Sequence, residues 1–241
     1  MENKEIVEIC KKVLKRLKNI GYEKNSFVSS GQLIFPSKSD VKRISEQELK
    51  QLFIEVFIKD YTSLFYSIET PTVNKYSFTN EPNQIKVGDD VDKGQSALLD
   101  MCVFENEKEF YKRILNIEFK HKNATKKNIS KDLLKLIHEE QNGAFILLLK
   151  NTDNGTLKSV LNKFSNSFVA HNKKWNGDKY IQLIILSLEE KKDNNGKPFL
   201  IHRIIRENSL TSDKNCFTID NIESVLVSKV PLEDKWGKII I

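Results

Sequence analysis

Leu115-Asn116-Ile117-Glu118-Phe119-Lys120 is the stretch that most narrows what this chain can fold into. On a strand, alternate side chains point to opposite faces. Leu115, Ile117 and Phe119 then face one way, into a core, and Asn116, Glu118 and Lys120 face the other. A carboxylate and an ammonium two residues apart in an otherwise apolar strand are costly unless they are paired or used. Upstream lies a second apolar run, Ser96 to Phe104, which carries one charge, Asp100. On neighbouring strands Asp100, Glu118 and Lys120 meet at one spot. Two acids and a lysine there make a site for a divalent metal and a water.

The flanking elements have a readable order. Glu5 to Asn19 places Ile6, Ile9, Val13, Leu14 and Leu17 at helical spacing, with Gly21 as its carboxy-terminal cap. This helix is expected to brace the domain. Gly31 to Arg43 reads as a loop around Pro36. Ser45-Glu46-Gln47-Glu48 is a capping box, and Leu49, Leu52, Phe53, Val56 and Phe57 give the helix that follows, to about Lys59, its buried stripe. A strand is expected near Phe65–Glu69, ending at Pro71, and a polar loop or hairpin tip over 80–94. The strands near Ser96–Phe104 and Arg113–Lys120, joined by a polar turn at 105–109, are expected to pair as an antiparallel hairpin. His121 to Lys127 is a basic loop. Ser130 caps the next helix, with Leu133, Leu134, Leu136 and Ile137 on one face and Gly143 as its stop. Ala144 to Leu149 is apolar throughout, as a central strand must be.

From Ser45 the order is therefore αβββαβ. The carboxy-terminal third adds a helix near Leu157–Phe168 and strands at Tyr180–Leu188 and Phe199–Ile205, with Asn195-Gly196 suited to a type I′ turn. Ile222 to Val230 and Lys238 to Ile241 are the candidates for further carboxy-terminal strands. No internal repeat or Gly/Pro-rich linker interrupts the chain. The expectation is an α/β (mixed α+β) fold with a mixed central sheet flanked by helices. It forms one decorated domain over 1–241, with a core at about 45–150, an amino-terminal helix at 5–19 and a carboxy-terminal extension over 151–241.

At Asp100 and Glu118-Phe119-Lys120 the chain resembles the PD-(D/E)XK nuclease superfamily, in which an acid on one core strand is followed by (D/E)-x-K on the next. Leu99 stands where the Pro that names the motif would be. The resemblance covers roughly Ser45 to Leu149 and implies a restriction-endonuclease-like core. It also implies a metal-dependent nuclease that hydrolyses phosphodiester bonds, in DNA ahead of RNA. Asp100 and Glu118 would be the metal ligands, with the Phe119 carbonyl as an added one. Lys120 would orient or deprotonate the attacking water, or steady the transition-state charge. Many members carry a further acid on the first helix. Glu48 is expected in that catalytic role, with Glu55 and Glu69 as alternatives. Oxygen ligands without His or Cys fit Mg²⁺ or Mn²⁺ better than Zn²⁺.

Composition narrows the partners. The 241 residues are 39% hydrophobic and 30% charged, with a net charge of +6, which favours a polyanion. Lys122, Lys126 and Lys127, then Lys131 and Lys135 on the next helix, are placed to track a phosphate backbone. The competing reading is ordinary surface lysine. Trp175 beside Lys173 and Lys174 is either a base-stacking or a core residue. Nothing approaches a membrane span, and the first residues are unlike a secretory or transit peptide. The 3 cysteines show neither zinc spacing nor a disulfide framework, which suits the cytoplasm. P-loop, GxGxxG, GxSxG and calcium-loop patterns are absent or broken. The bland reading of Glu118 and Lys120 is a surface pair on an edge strand. The alternative to the enzyme is a catalytically inactive nucleic-acid-binding or protein-interaction domain on the same fold. Oligomeric state stays open, a homodimer included.

Overall fold

A strand buried on both faces has to be apolar, and Ala144–Leu149 meets that condition. Ala144, Ile146 and Leu148 face one core, and Phe145, Leu147 and Leu149 face the other. The computed structural model describes residues 1–19, 37–38, 41–42, 44–78, 86–87, 94–149, 152–188, 198–212, 216–219, 225–227 and 235–241. In chain order the helices are α1 (Asn3–Asn19), α2 (Glu46–Asp60), α3 (Lys126–His138), α4 (Asn154–His171) and α5 (Glu207–Ser212). The strands are β1 (Ser37–Lys38), β2 (Val41–Lys42), β3 (Phe65–Ser77), β4 (Lys86–Val87), β5 (Gln95–Asn106), β6 (Tyr111–His121), β7 (Asn142–Leu149), β8 (Ile181–Ser187), β9 (Phe199–Ile205), β10 (Leu226–Val227) and β11 (Gly237–Ile240).

The fold is a mixed α/β arrangement around one nine-stranded sheet, ordered β10-β11-β9-β8-β7-β6-β5-β3-β4. Strands β6, β7 and β8 run parallel, and β3–β5, β5–β6 and β8–β9 pair antiparallel. Helices α1 and α2 cover one face, packed on Met101, Val103, Leu115, Ile117 and Phe119. Helices α3 and α4 cover the other, packed on Cys102, Phe145, Leu147 and Leu183. The expected hairpin β5–β6, the central strand β7 and the bracing helix α1 are present, but the expected order αβββαβ from Ser45 is interrupted by the short β4, which lies between β3 and β5 inside the expected loop over 80–94.

Several boundaries move. Helix α3 is capped by Thr125, whose side chain accepts from the Asn128 amide, and not by Ser130. Ser130 is buried inside the helix, 2.8 Å from His171 Nε2 on α4. The helix ends at His138 with Glu139 as its cap, so Gly143 belongs to β7. Strand β3 runs past Pro71 to Ser77. Pro71 stands where the register against β5 begins to shift, an irregularity that tolerates a proline. Within the expected loop over 31–43, β1 and β2 form a two-stranded ladder. Gly21 and the Asn195-Gly196 turn lie outside the described residues. The three cysteines are buried and unbridged. Among the described residues no helix is long and apolar enough to cross a membrane.

Two histidines are buried in this frame, His171 against Ser130 and His202 in β9. Burial pushes both imidazoles down to about 4, with Lys174 adding to the effect at His171. The unfolded chain takes up these protons near pH 6.5 and the folded chain does not, so stability is lost as pH falls from about 6.5 toward about 4. His202→Gln should flatten the dependence of unfolding free energy on pH by about one proton across that window. Urea unfolding of both proteins at several pH values measures it. An unchanged slope would remove His202 from the account.

Candidate active site

Strands β5 and β6 pair from Asn106↔Tyr111 to Met101↔Ile117 and then part. One step beyond the last pair, the Phe119 amide donates to Asp100 Oδ2 at 2.8 Å. A side chain has replaced the neighbouring backbone at this point. The site is therefore built on a gap in the ladder, with β6 held from its other side by β7 as far as His121↔Leu148. Across β5 the register runs Ile68↔Met101 and then Thr70↔Leu99, which sets Glu69 opposite Asp100. Glu69 has φ +48°, an uncommon conformation for a residue with a side chain, and its pairing is interrupted there.

Around this gap acids and lysines alternate. Lys50 of α2 reaches Glu69 at 2.7 Å and Asp100 at 3.6 Å. Lys120 donates to the Phe119 carbonyl at 2.9 Å and pairs with Asp132 of α3 at 2.9 Å and Glu46 of α2 at 3.4 Å. Lys135 of α3 lies 2.8 Å from Asp132 and 2.5 Å from Glu118. The last approach is off the hydrogen-bonding direction. Glu118 Oε1 thus feels the ammonium yet has no directed hydrogen bond among the described residues. Glu118 is 1% exposed and points to α3, as the alternation in its strand requires.

The electrostatics follow from this crowding. Burial, then the Asp132 and Asp100 carboxylates, push Glu118 well above the usual carboxylate range, against the pull of Lys135. Burial also raises Glu46, with Asp100 and Asp132 adding to it and Lys120 opposing. At Lys120 burial favours the neutral amine, but Asp132, Asp100 and Glu46 outweigh it and hold the ammonium above its ordinary pKa. Lys50 and Lys135 are raised in the same way by their carboxylate neighbours, against desolvation.

Asp100, Glu118 and Lys120 are brought together as expected, but other expected site residues are not. Glu48 accepts from the Ser45 amide at 2.8 Å in its capping box, and the helix α2 acid at the site is Glu46. Glu55 pairs with Arg16 of α1. Lys135 is buried among carboxylates and donates to the Leu98 carbonyl at 2.7 Å, so it is no surface contact for a phosphate backbone. Lys122 and Lys126 are exposed and Lys127 is half-buried at the start of α3. Lys131 stands over the Phe78 ring, 4.9 Å from its centroid. Trp175 is half-buried against Phe168. The edge-strand reading of Glu118 and Lys120 fails, since β6 lies between β5 and β7.

Lys50, Asp132 and the inward role of Lys135 were missed. The signal was present: Asp132-Leu133-Leu134-Lys135-Leu136 sets a charge pair inside an apolar helix stripe, the same conflict that marks Glu118 and Lys120.

The donor set suits a hard divalent cation. Every acid is a carboxylate, the acids outnumber the lysines, and Glu118 is raised by its own acidic neighbours. Among the described residues no three His, Cys, Asp or Glu side chains form a ready cage, because a lysine stands between successive acids. Beside the network opens a cleft of about 620 Å³ lined by Phe78, Gln95, Ser96, Lys131, Asp132 and Lys135. Comparison of the chain with family models, curated proteins and solved structures finds no match.

Proposed function

We propose that the protein is a metal-dependent nuclease on a restriction-endonuclease-like core, cutting phosphodiester bonds in DNA. One observation carries this reading: the Asp100 carboxylate holds the amide at the centre of Glu118-Phe119-Lys120, where two core strands part. An acid, a buried acid and a half-buried ammonium converge there, and Asp132 and Lys135, which pair with them, line the neighbouring cleft.

Asp100 and Glu118 would hold the ion, Mg²⁺ or Mn²⁺, with the Phe119 carbonyl beside them. Such an ion, when bound, neutralises phosphate charge and lowers the pKa of a bound water. Lys120 keeps its proton, because Asp132, Asp100 and Glu46 favour the charged form over the neutral one. Its part is then to steady negative charge on the phosphoryl oxygens and not to take a proton from water. Asp132, 2.9 Å from Lys120 Nζ, positions that ammonium. Lys122, Lys126 and Lys127 would meet phosphates flanking the cut.

Incubation with supercoiled plasmid, linear duplex and single strands in Mg²⁺, Mn²⁺ or EDTA tests the reading. Cleavage with either ion and none in EDTA is the expected outcome. Failure to cut any of the three substrates would end it.

A second reading keeps the fold without turnover, as a nucleic-acid-binding or protein-interaction domain. It is favoured by the lysines, each of which pairs with acids of the site. Thermal unfolding separates the two. An ion bound only by the folded state adds about 2.7 kcal/mol of stability at a hundred times its Kd. The nuclease reading therefore expects Mn²⁺ to raise the Tm of the wild type and not of Asp100→Asn. Equal behaviour of the two proteins would favour the second reading.

A further inference from the structure

The paired run Leu115↔Asn142 to Lys120↔Leu147 places the acid–lysine network toward one end of β7, and Gly143↔Ile181 marks the other. At that other end, between the residues leading into β8 and those leaving β9, lies a second cavity. It has a volume of about 350 Å³ and is lined by Trp175, Asp178, Lys179, Arg206 and Glu207.

Lys179 is 3% exposed, and its Nζ has no hydrogen-bond partner among the described residues. The face of Trp175 lies 6.0 Å from it, at the outer limit of a cation–π contact. A buried ammonium left in that state costs several kcal/mol unless a partner arrives or its proton leaves. Burial indeed pushes Lys179 down to about 7, against the pull of Glu139 and Glu140. Arg206 lies over the Tyr180 ring, 5.7 Å from its centroid, on the same lining. Trp175 is backed by Phe168 on its protein side.

We propose that this cavity binds a phosphate monoester, with Lys179 and Arg206 taking the phosphate oxygens and the Trp175 edge lining the wall beside the group carried by the phosphate. The buried, unpartnered Lys179 Nζ at a cavity wall is what calls for an anion. A fork-shaped guanidinium next to a compact ammonium suits the several oxygens of a phosphate better than the two of a carboxylate. The volume is at the small end of ligand sites, the size of a mononucleotide. Asp178 and Glu207, both exposed at this cavity, would repel the neighbouring phosphates of a continuous strand. That leaves two sources of the monoester, a free mononucleotide or the terminal phosphate of a strand. The inference stands apart from the nuclease reading, since it uses none of the same residues.

Calorimetric titration and thermal unfolding of the whole chain test it. The probes are adenosine 5′-monophosphate, adenosine, inorganic phosphate, and a dinucleotide with and without a 5′-phosphate. The monophosphate should bind and adenosine should not, with inorganic phosphate weaker than the monophosphate. Lys179→Met should melt higher than the wild type without ligand, because it removes a buried charge, and should bind the monophosphate at least about tenfold more weakly. Arg206→Ala should weaken binding by about tenfold or more with little change in ligand-free Tm, and keeps the test open if Lys179→Met folds poorly. Tighter binding of the 5′-phosphorylated dinucleotide than of the monophosphate would identify a strand end as the source, and the reverse a free mononucleotide. Equal binding of adenosine and its monophosphate would overturn the assignment. So would no binding up to about 10 mM, or unchanged affinity in the Arg206 variant.

Discussion

Lys120→Ala should lower single-turnover DNA cleavage by about 10²-fold or more while leaving DNA and metal binding in place. The loss is expected in the chemical step because Asp100 and Glu118, the proposed ligands, are untouched. The ammonium is fixed by the Phe119 carbonyl, Asp132 and Glu46. A group held on three sides and kept charged by its neighbours is preorganised for charge that develops late, which is the situation in which one electrostatic contact is worth most. Lys120→Arg should rescue poorly, since a planar guanidinium does not fit a pocket shaped around a compact ammonium. Removing Lys120 also leaves Asp132 with Lys135 as its ion-pair partner among the described residues, so matched folding of the variants has to be established by their unfolding midpoints. Equal cleavage rates in wild type and Lys120→Ala would take Lys120 out of the mechanism and most of the nuclease reading with it.

How much of this was legible in the sequence depends on the range over which each signal acts. The capping box at Ser45 and Glu48 involves residues three apart, and it forms as read. The strand alternation at Leu115–Lys120 is a period of two, and its apolar and polar faces point where expected. The start of helix α3 differs from the expectation because of a tertiary contact. Ser130 looks like a cap, but its hydroxyl is used by His171, forty-one residues on, and nothing local shows that. Thr125, whose side chain accepts from the amide three residues on, is a local signal inside the stretch read as a basic loop. Glu48 is the expected site acid, ahead of Glu55 and Glu69, but its side chain caps its own helix start, and the acid that meets Lys120 is Glu46. Lys135 was counted as a surface lysine because positive charge suggests solvent. Its neighbours Leu133, Leu134, Leu136 and Ile137 are all buried, so the stripe surrounding it is the better guide. Pairings that join α2, β3 and α3 across the sheet, such as Lys50 with Glu69 and Asp100, need the fold before they can be seen.

Glu139→Ala should cost about 3–5 kcal/mol of stability, a large share of the 5–15 kcal/mol that holds a typical domain together. Glu139 is fully buried just past the end of α3. Its carboxylate accepts from the Val73 and Asn74 amides at 3.0 Å each, from Asn74 Nδ2 at 3.2 Å and from the Tyr76 hydroxyl at 3.1 Å. Arg113 Nη1 approaches it at 3.4 Å and supplies the countercharge. These donors belong to the irregular part of β3, where the register against β5 shifts between Pro71 and Lys75. A bulge leaves backbone groups without ladder partners, and here a side chain from the far end of a helix stands in for the missing strand. Truncation would leave two amides and a phenol without this acceptor and the Arg113 guanidinium without its countercharge, each loss costing free energy. Tyr76→Phe gives the scale, since it removes one donor and leaves the carboxylate its other partners, at about 1 kcal/mol. The effect should reach function as well. The strand beyond the bulge carries Tyr76, Ser77 and Phe78 into the wall of the 620 Å³ cleft, so a slipped register there would reshape the approach to Asp132 and Lys135. Urea unfolding decides the matter. A fall in midpoint at unchanged m-value supports the account, and a loss below about 1 kcal/mol would show that water or a shifted β3 can satisfy the bulge without Glu139.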